Sequence, residues 1–240
     1  MSETPEKPSS LFQRLVGTKV RFWVVVLVLL AADLASKEWA ESALTVKTPF
    51  IHAGVSRIEH DSGRHGEEGV EFIPGALHFK YAENYGAAFS IGSDGSIPFA
   101  ILSIGVLGIL FYIVAGTPRE RWFTLLCYAL ITGGALGNLH DRLFHKTADV
   151  RFAFGPDEPN PNYGKETTAV RDFLYWPFDI PVYSTVALDP GQPPRKFPIF
   201  NVADSGITGG VIGLIIVAIF TPDPRKKPKE TLPATGVAAS

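Results

Sequence analysis

Four stretches of about 20 residues, at 20–40, 97–116, 122–143 and 202–220, are nearly free of charge, the first of them interrupted near its end. Each is long enough to cross roughly 30 Å of hydrocarbon as a helix. Lipid offers no hydrogen bonds to an exposed backbone, so segments of this kind become helices that satisfy their own N–H and C=O groups. The sequence therefore predicts a membrane all-α bundle of four transmembrane helices, forming one domain over residues 1–240, and excludes an ordinary soluble core.

Basic residues orient this bundle. Arg14, Lys19 and Arg21 lie before or at the start of the first stretch, Arg119 and Arg121 lie between the second and third, and Arg225, Lys226, Lys227 and Lys229 follow the fourth. All three clusters fall on one side if both termini are cytoplasmic, as the positive-inside rule requires. Residues 1–13 and 221–240 are then cytoplasmic tails, and long outer loops at 41–96 and 144–201 lie outside. The first stretch also has the build of a cleavable leader, with the core "FWVVVLVLLAA" and the small residues "LAS". Removing it would spoil the even, charge-consistent topology, so it is read as a span. A net charge of −2 gives no reason to expect nucleic acid. The single cysteine, Cys127, falls inside the third stretch, which rules out an intrachain disulfide and a sulfur-based metal site.

In the first outer segment, "GVEFIPGALHFKYAENYGAAFSIG" reads as short strands between glycines. In the second, 155–165 and 189–196 read as exposed loops, and the aromatic run "TAVRDFLYWPFDI" is expected at the headgroup level. Gly133 and Gly137 in the third stretch, and Gly209 and Gly213 in the fourth, have the spacing that lets helices approach closely in lipid, so these two are expected to be neighbours.

Polar residues collect near the outer ends of the stretches. Asp33 and Lys37 share a helix face at i,i+4, which predicts an internal ion pair with the lysine stem reaching for the interface. Asn84 and Gly86 precede the second stretch with ordinary turn chemistry. The third stretch ends in Asn138, Asp141 and Arg142, the arginine placed to cap carbonyls or meet a carboxylate. The fourth begins with Asn201 and Asp204, which also suits a helix cap. Antiparallel neighbours bring the two Asn-x-x-Asp groups to one height, and ionisable residues in spans are candidates for function. Two close carboxylates in a low dielectric share a proton, which permits metal-free aspartic-protease chemistry. No G-x-S-x-G occurs, and His140 and His145 do not form H-E-x-x-H.

Five blocks in order, "DLASK" (33–37), "NYGAAF" (84–89), "GNLHDR" (137–142), "VRDF" (170–173) and "FNVAD" (200–204), resemble the lipoprotein signal peptidase (signal peptidase II) family. The resemblance implies a four-span aspartic peptidase of the bacterial inner membrane with a small extracytoplasmic β platform. It implies a catalytic pair, Asp172 and Asp204, with Asp33, Lys37, Asn84, Gly86, Asn138, Asp141, Arg142, Asn201 and Ala203 supporting the site or binding substrate. It also implies a site at the extracytoplasmic face, diacylglyceryl-prolipoprotein substrates and contact with membrane lipids. A monomer is expected, with no metal and no cofactor. The chain departs from the family in an insertion between Asp141 and Asp172, in a second one around 180–196, and in Arg171, where valine is usual. "TADVRF" (147–152) imitates the fourth block and offers Asp149, but only Asp172 is followed directly by phenylalanine and an anchoring aromatic run. The alternatives are a proton- or ion-coupled transporter and a non-catalytic assembly subunit.

Overall fold

The computed structural model describes residues 13, 15, 19–46, 51, 52, 55, 56, 59, 60, 69–85, 96–148, 153–155, 158, 159, 166–178 and 197–221. Among them are four long helices, α1 (Val20–Leu44), α2 (Ser96–Gly116), α3 (Trp122–Phe144) and α4 (Val202–Phe220). The sequence-derived spans agree with these to within a residue or so, except that α1 continues past residue 40 to the extended backbone at Thr45. Three of them, Ile97–Gly116, Trp122–Phe144 and Val202–Phe220, are long and apolar enough to cross a membrane. The fourth, α1, is as long but carries Asp33, Lys37, Glu38 and Glu41 in its second half.

Large apolar side chains on these helices face outward. Leu27, Ile101, Ile109 and Ile219 are each more than 60% exposed. A soluble bundle would turn such residues in, whereas a lipid-embedded one leaves them out. What faces inward on α1 is one stripe, Phe22, Val26, Asp33, Lys37 and Ala40, recurring at helical spacing. This stripe meets α3, which packs against α1, α2 and α4 and so forms the centre of the bundle. Phe22, Val26, Val114, Leu125 and Ala129 make one apolar cluster, and Ala100, Leu107 and Leu139 another.

Helices α3 and α4 are neighbours, as expected, but the glycines between them are not all the expected ones. A Cβ on Gly134 would collide with the Ala203 carbonyl oxygen, and one on Gly210 would lie 2.6 Å from the Cys127 carbonyl oxygen. Gly213 meets the Cys127 sulfur. Gly133 instead faces Leu29 of α1, Gly137 faces Asp33 and Ala203, and Gly209 faces open space. Spacing alone placed glycines on the helix without fixing which face meets which partner.

The strands are short: β1 (Thr45–Val46), β2 (Ile51–His52), β3 (Val55–Ser56), β4 (Glu59–His60), β5 (Val70–Ile73), β6 (Leu77–Asn84), β7 (Lys146–Ala148), β8 (Ala153–Gly155), β9 (Glu158–Pro159), β10 (Glu166–Thr168) and β11 (Val170–Tyr175). The expected strands of the first outer segment are β5 and β6. They join β11 in an antiparallel sheet of order β11-β6-β5, with Asp172 opposite Ala82 and a register shift just beyond it. Within the run expected at the headgroup level, residues 170–175 form this inner strand and are mostly buried. Only Trp176 and Phe178 beyond it are exposed among the large aromatics of the run. Part of the stretch read as loop at 155–165 also pairs, as β8 with β9.

Two contacts seat β11. Trp39 of α1 stacks edge-on against Phe79 and Phe173 at ring separations of 5.0 and 6.3 Å. On the other side Phe200, just ahead of α4, bridges to Leu174, with Leu174 N–H to Phe200 O at 2.8 Å and Phe200 N–H to Leu174 O at 3.0 Å. The inserted segment after α3 begins and ends as a paired ribbon, β7 with β10, which delivers the chain to β11. Gly86, Phe89 and Asp149, the 189–196 loop and all of the C-terminal tail but Thr221 lie outside the described residues.

Candidate active site

The start of α4 is held by a reciprocal cap. The Asn201 side chain accepts from Asp204 N–H at 2.9 Å, and Asp204 Oδ2 accepts from Asn201 N–H at 3.2 Å. The capping role expected for this pair is therefore present, and it orients both side chains for further contacts. Asn201 Nδ2 donates to Asp172 Oδ1 at 2.7 Å and to Asn138 Oδ1 at 3.0 Å. Asn138 Nδ2 in turn donates to Asp204 Oδ1 at 2.8 Å. Asn84, at the end of β6, donates to the second oxygen of Asp172 at 3.1 Å. Two carboxylates 32 positions apart in the sequence are thus tied together by the amides of Asn138 on α3 and Asn201 at the cap of α4.

Asp172 is 2% exposed. Burial, and then the neighbouring Asp204 charge, push its carboxyl up to about 7 against the pull of the Asn84 and Asn201 amides. A carboxyl of this kind holds a proton near neutrality, as a pair sharing one proton requires.

Beneath this pair lies a buried ionic layer. Lys37 Nζ contacts Asp33 Oδ2 at 2.8 Å, Asn138 Oδ1 at 3.0 Å and Asp141 Oδ2 at 3.5 Å. Asp33 and Lys37 are fully buried. The expected ion pair is there, but the lysine does not reach for the interface, because inward contacts with α3 take up its donors. Asp33 Oδ1 accepts from Ala203 N–H at 2.8 Å, a first-turn donor of α4 with no helical partner. Gly137 lets Asp33 approach α3.

Asp141 shares the end of α3 with Asn138 but has a different set of partners. It receives Arg171 Nη2 at 2.8 Å, Arg171 Nε at 3.3 Å and the Arg171 backbone N–H at 3.0 Å. Arg171 Nη1 also reaches Glu41 at 3.0 Å and Glu38 at 3.2 Å. Sequence reasoning marked Arg171 only as a departure and missed Glu41 altogether. Nothing in the local pattern of either residue signals a partner some 130 positions away. Arg142, expected at a carbonyl or a carboxylate, lies over the Phe99 ring at 4.9 Å, within electrostatic reach of Asp172 and Asp204. Its Nη1 is buried and makes no hydrogen bond among the described residues.

Behind the sheet, Glu83 accepts from Tyr85 Oη at 2.6 Å and Thr147 Oγ1 at 2.8 Å, with His145 Nε2 at 3.6 Å. Burial raises its carboxyl, but these partners outweigh burial and hold it below the usual range. No group of three or more His, Cys, Asp or Glu side chains suited to a metal ion occurs among the described residues.

The fold resembles a solved bacterial membrane enzyme, with a TM-score of 0.54 and 22% identity over 86% of this chain and 96% of that one. Lipoprotein signal peptidase of Xanthomonas euvesicatoria pv. vesicatoria is 28% identical over 211 residues, 86% of this chain and 90% of the relative. Those of Shewanella pealeana and Shewanella woodyi are 32% and 31% identical, covering 83% and 82% of this chain and 85% and 82% of theirs. These relationships favour a peptidase over the transporter or assembly-subunit alternatives. The model of the family described as signal peptidase (SPase) II matches residues 25–220, and the chain belongs to that family.

Proposed function

We propose that the chain is a lipoprotein signal peptidase whose catalytic pair is Asp172 and Asp204. It removes the signal peptide of diacylglyceryl-modified prolipoproteins on the N-terminal side of the lipidated cysteine. The observation that carries the residue assignment is the amide bridge, Asp172–Asn201–Asn138–Asp204, together with the burial of Asp172.

In this reading the two carboxyls share one proton, which Asp172 holds, and Asp204 acts as the base. Asp204 takes a proton from a water that attacks the carbonyl carbon of the residue before the cysteine. Asp172 donates its hydrogen to the developing oxyanion. Collapse of the tetrahedral intermediate breaks the C–N bond, and the proton that Asp204 took from the water passes to the leaving amine. Asn84 and Asn201 orient Asp172, and Asn138 orients Asp204. Lys37, Asp33, Asp141 and the Ala203 N–H fix the helices that carry them. Arg142, with Gly86 on the preceding segment, is assigned to the substrate.

The same reading takes the whole chain as one domain in the bacterial inner membrane. All four helices span, both termini are cytoplasmic, and the β5-β6-β11 sheet and the site lie at the extracytoplasmic face beside lipid. The protein acts as a monomer.

Cleavage of a diacylated prolipoprotein is to be followed on a gel with purified parent, Asp149→Asn, Asp172→Asn and Asp204→Asn proteins. Loss of processing in the last two alone is expected. Full processing by Asp172→Asn, or its loss in Asp149→Asn, would move the assignment.

A further inference from the structure

At the end of α1 and α3 remote from Asp172 and Asp204 lies a cavity of about 550 Å³, lined by Lys19, Val20, Arg21, Phe22, Val25, Arg119, Trp122, Leu125 and Leu126. From Trp122 to Asp141 along α3 is about 28 Å at 1.5 Å per residue, so it shares nothing with the catalytic machinery.

Its lining is of two kinds. Val25, Leu125 and Leu126 form an apolar wall along the helices, and Lys19, Arg21 and Arg119 form a basic mouth. Lys19 Nζ donates to the Val114 carbonyl, which fixes the ammonium at the cavity wall. The Arg119 Nε is held by Glu120 at 3.1 Å. Helices α1 and α3 both begin here, and neither Lys19 nor Arg121 caps its helix with a side chain. First-turn N–H groups of two helices therefore add positive potential to three cations. Trp122, 62% exposed at the mouth, is a residue type suited to the headgroup level.

We propose that this cavity binds one anionic phospholipid, its phosphate at Lys19, Arg21 and Arg119 and an acyl chain along Val25, Leu125 and Leu126. Charge selects the headgroup, and the apolar wall selects a lipid over a soluble anion. A basic cleft between membrane helices suits this ligand class.

The test uses the full chain purified in neutral detergent. Dioleoylphosphatidylglycerol and dioleoylphosphatidylcholine are titrated separately, and bound copies are counted by native mass spectrometry. One saturable copy of the anionic lipid is expected. Basic side chains near an anionic lipid contribute roughly fivefold each, so Arg21→Gln/Arg119→Gln should weaken this copy by about 25-fold. Both residues lie outside the catalytic site, so prolipoprotein cleavage by the variant in detergent checks its fold. Lys19→Gln is a second variant of the same mouth. Millimolar inorganic phosphate should leave the lipid bound, and full displacement by it would overturn the lipid assignment in favour of a free-anion site. Equal binding of the two lipids, or unchanged preference in the double arginine variant, would overturn the site itself. Competition by a peptide of residues 1–12 with the same affinity would identify the occupant as the chain's own tail and refute the proposal too.

Discussion

The Asp172 carboxyl gives a prediction about stability that does not depend on catalysis. In the unfolded chain it titrates near 3.8, and in the fold near about 7. Between these values the folded state binds more protons than the unfolded state, so this group's contribution to stability is fully present below pH 4 and is lost as pH rises through 7. Integrating a single site with these two values from pH 5 to pH 8 gives a loss of roughly 2–3 kcal/mol. Asp172→Asn removes the titration. The mutant amide also turns an N–H toward the Asn84 or Asn201 donors, which adds a cost of its own, but that cost is independent of pH. The diagnostic quantity is therefore the difference in slope. Equilibrium unfolding in detergent at pH 5, 6, 7 and 8 should show the parent losing roughly 2–3 kcal/mol more than the variant across the range. Parallel pH dependences would refute the argument that burial beside Asp204 keeps this carboxyl protonated. A parent that gains stability relative to the variant as pH rises would reverse its sign.

Arg171→Met removes the guanidinium that pairs with both buried Asp141 and Glu41. It should cost about 3 kcal/mol in unfolding free energy, and Arg171→Met with Glu41→Gln should recover part of that loss in a double-mutant cycle. Gly134→Ala forces a methyl against the Ala203 carbonyl and should destabilise by about 1–3 kcal/mol. Gly209→Ala, where a methyl meets open space, should change thermal stability little or raise it slightly. Asn201→Ala removes both the cap and the bridge, so unfolding should report a loss of about 1–2 kcal/mol. Cleavage kinetics should show kcat falling far more than KM.

The ionic layer explains why some of the site was legible and some was not. Asn201 and Asp204, and Asn138 and Asp141, stand three apart on helices whose apolar runs are unmistakable. Their shared height follows from antiparallel packing, which the charge pattern already demanded. Their division of labour does not follow from spacing. Asn138 points to Asp204 while Asp141 serves Arg171, and one helical turn carries both. Lys37 shows the same limit. Its i,i+4 partner was readable, but its burial against Asn138 depends on where α3 lies.

By itself the sequence determined the helices, their approximate ends, the polar residues gathered toward one end of α1, α3 and α4, and five short blocks shared with a family. These are properties of local periodicity, length and residue type, each fixed within a few turns of chain. Only the tertiary structure decided that β11 slots between β6 and Phe200, that Arg171 turns to α1 and α3 while Asp172 meets Asn84 and Asn201, and that Gly134 rather than Gly133 meets α4. Those outcomes depend on contacts between segments tens to more than a hundred residues apart. Their energies come from burial and from which polar groups remain to be paired once the helices have met.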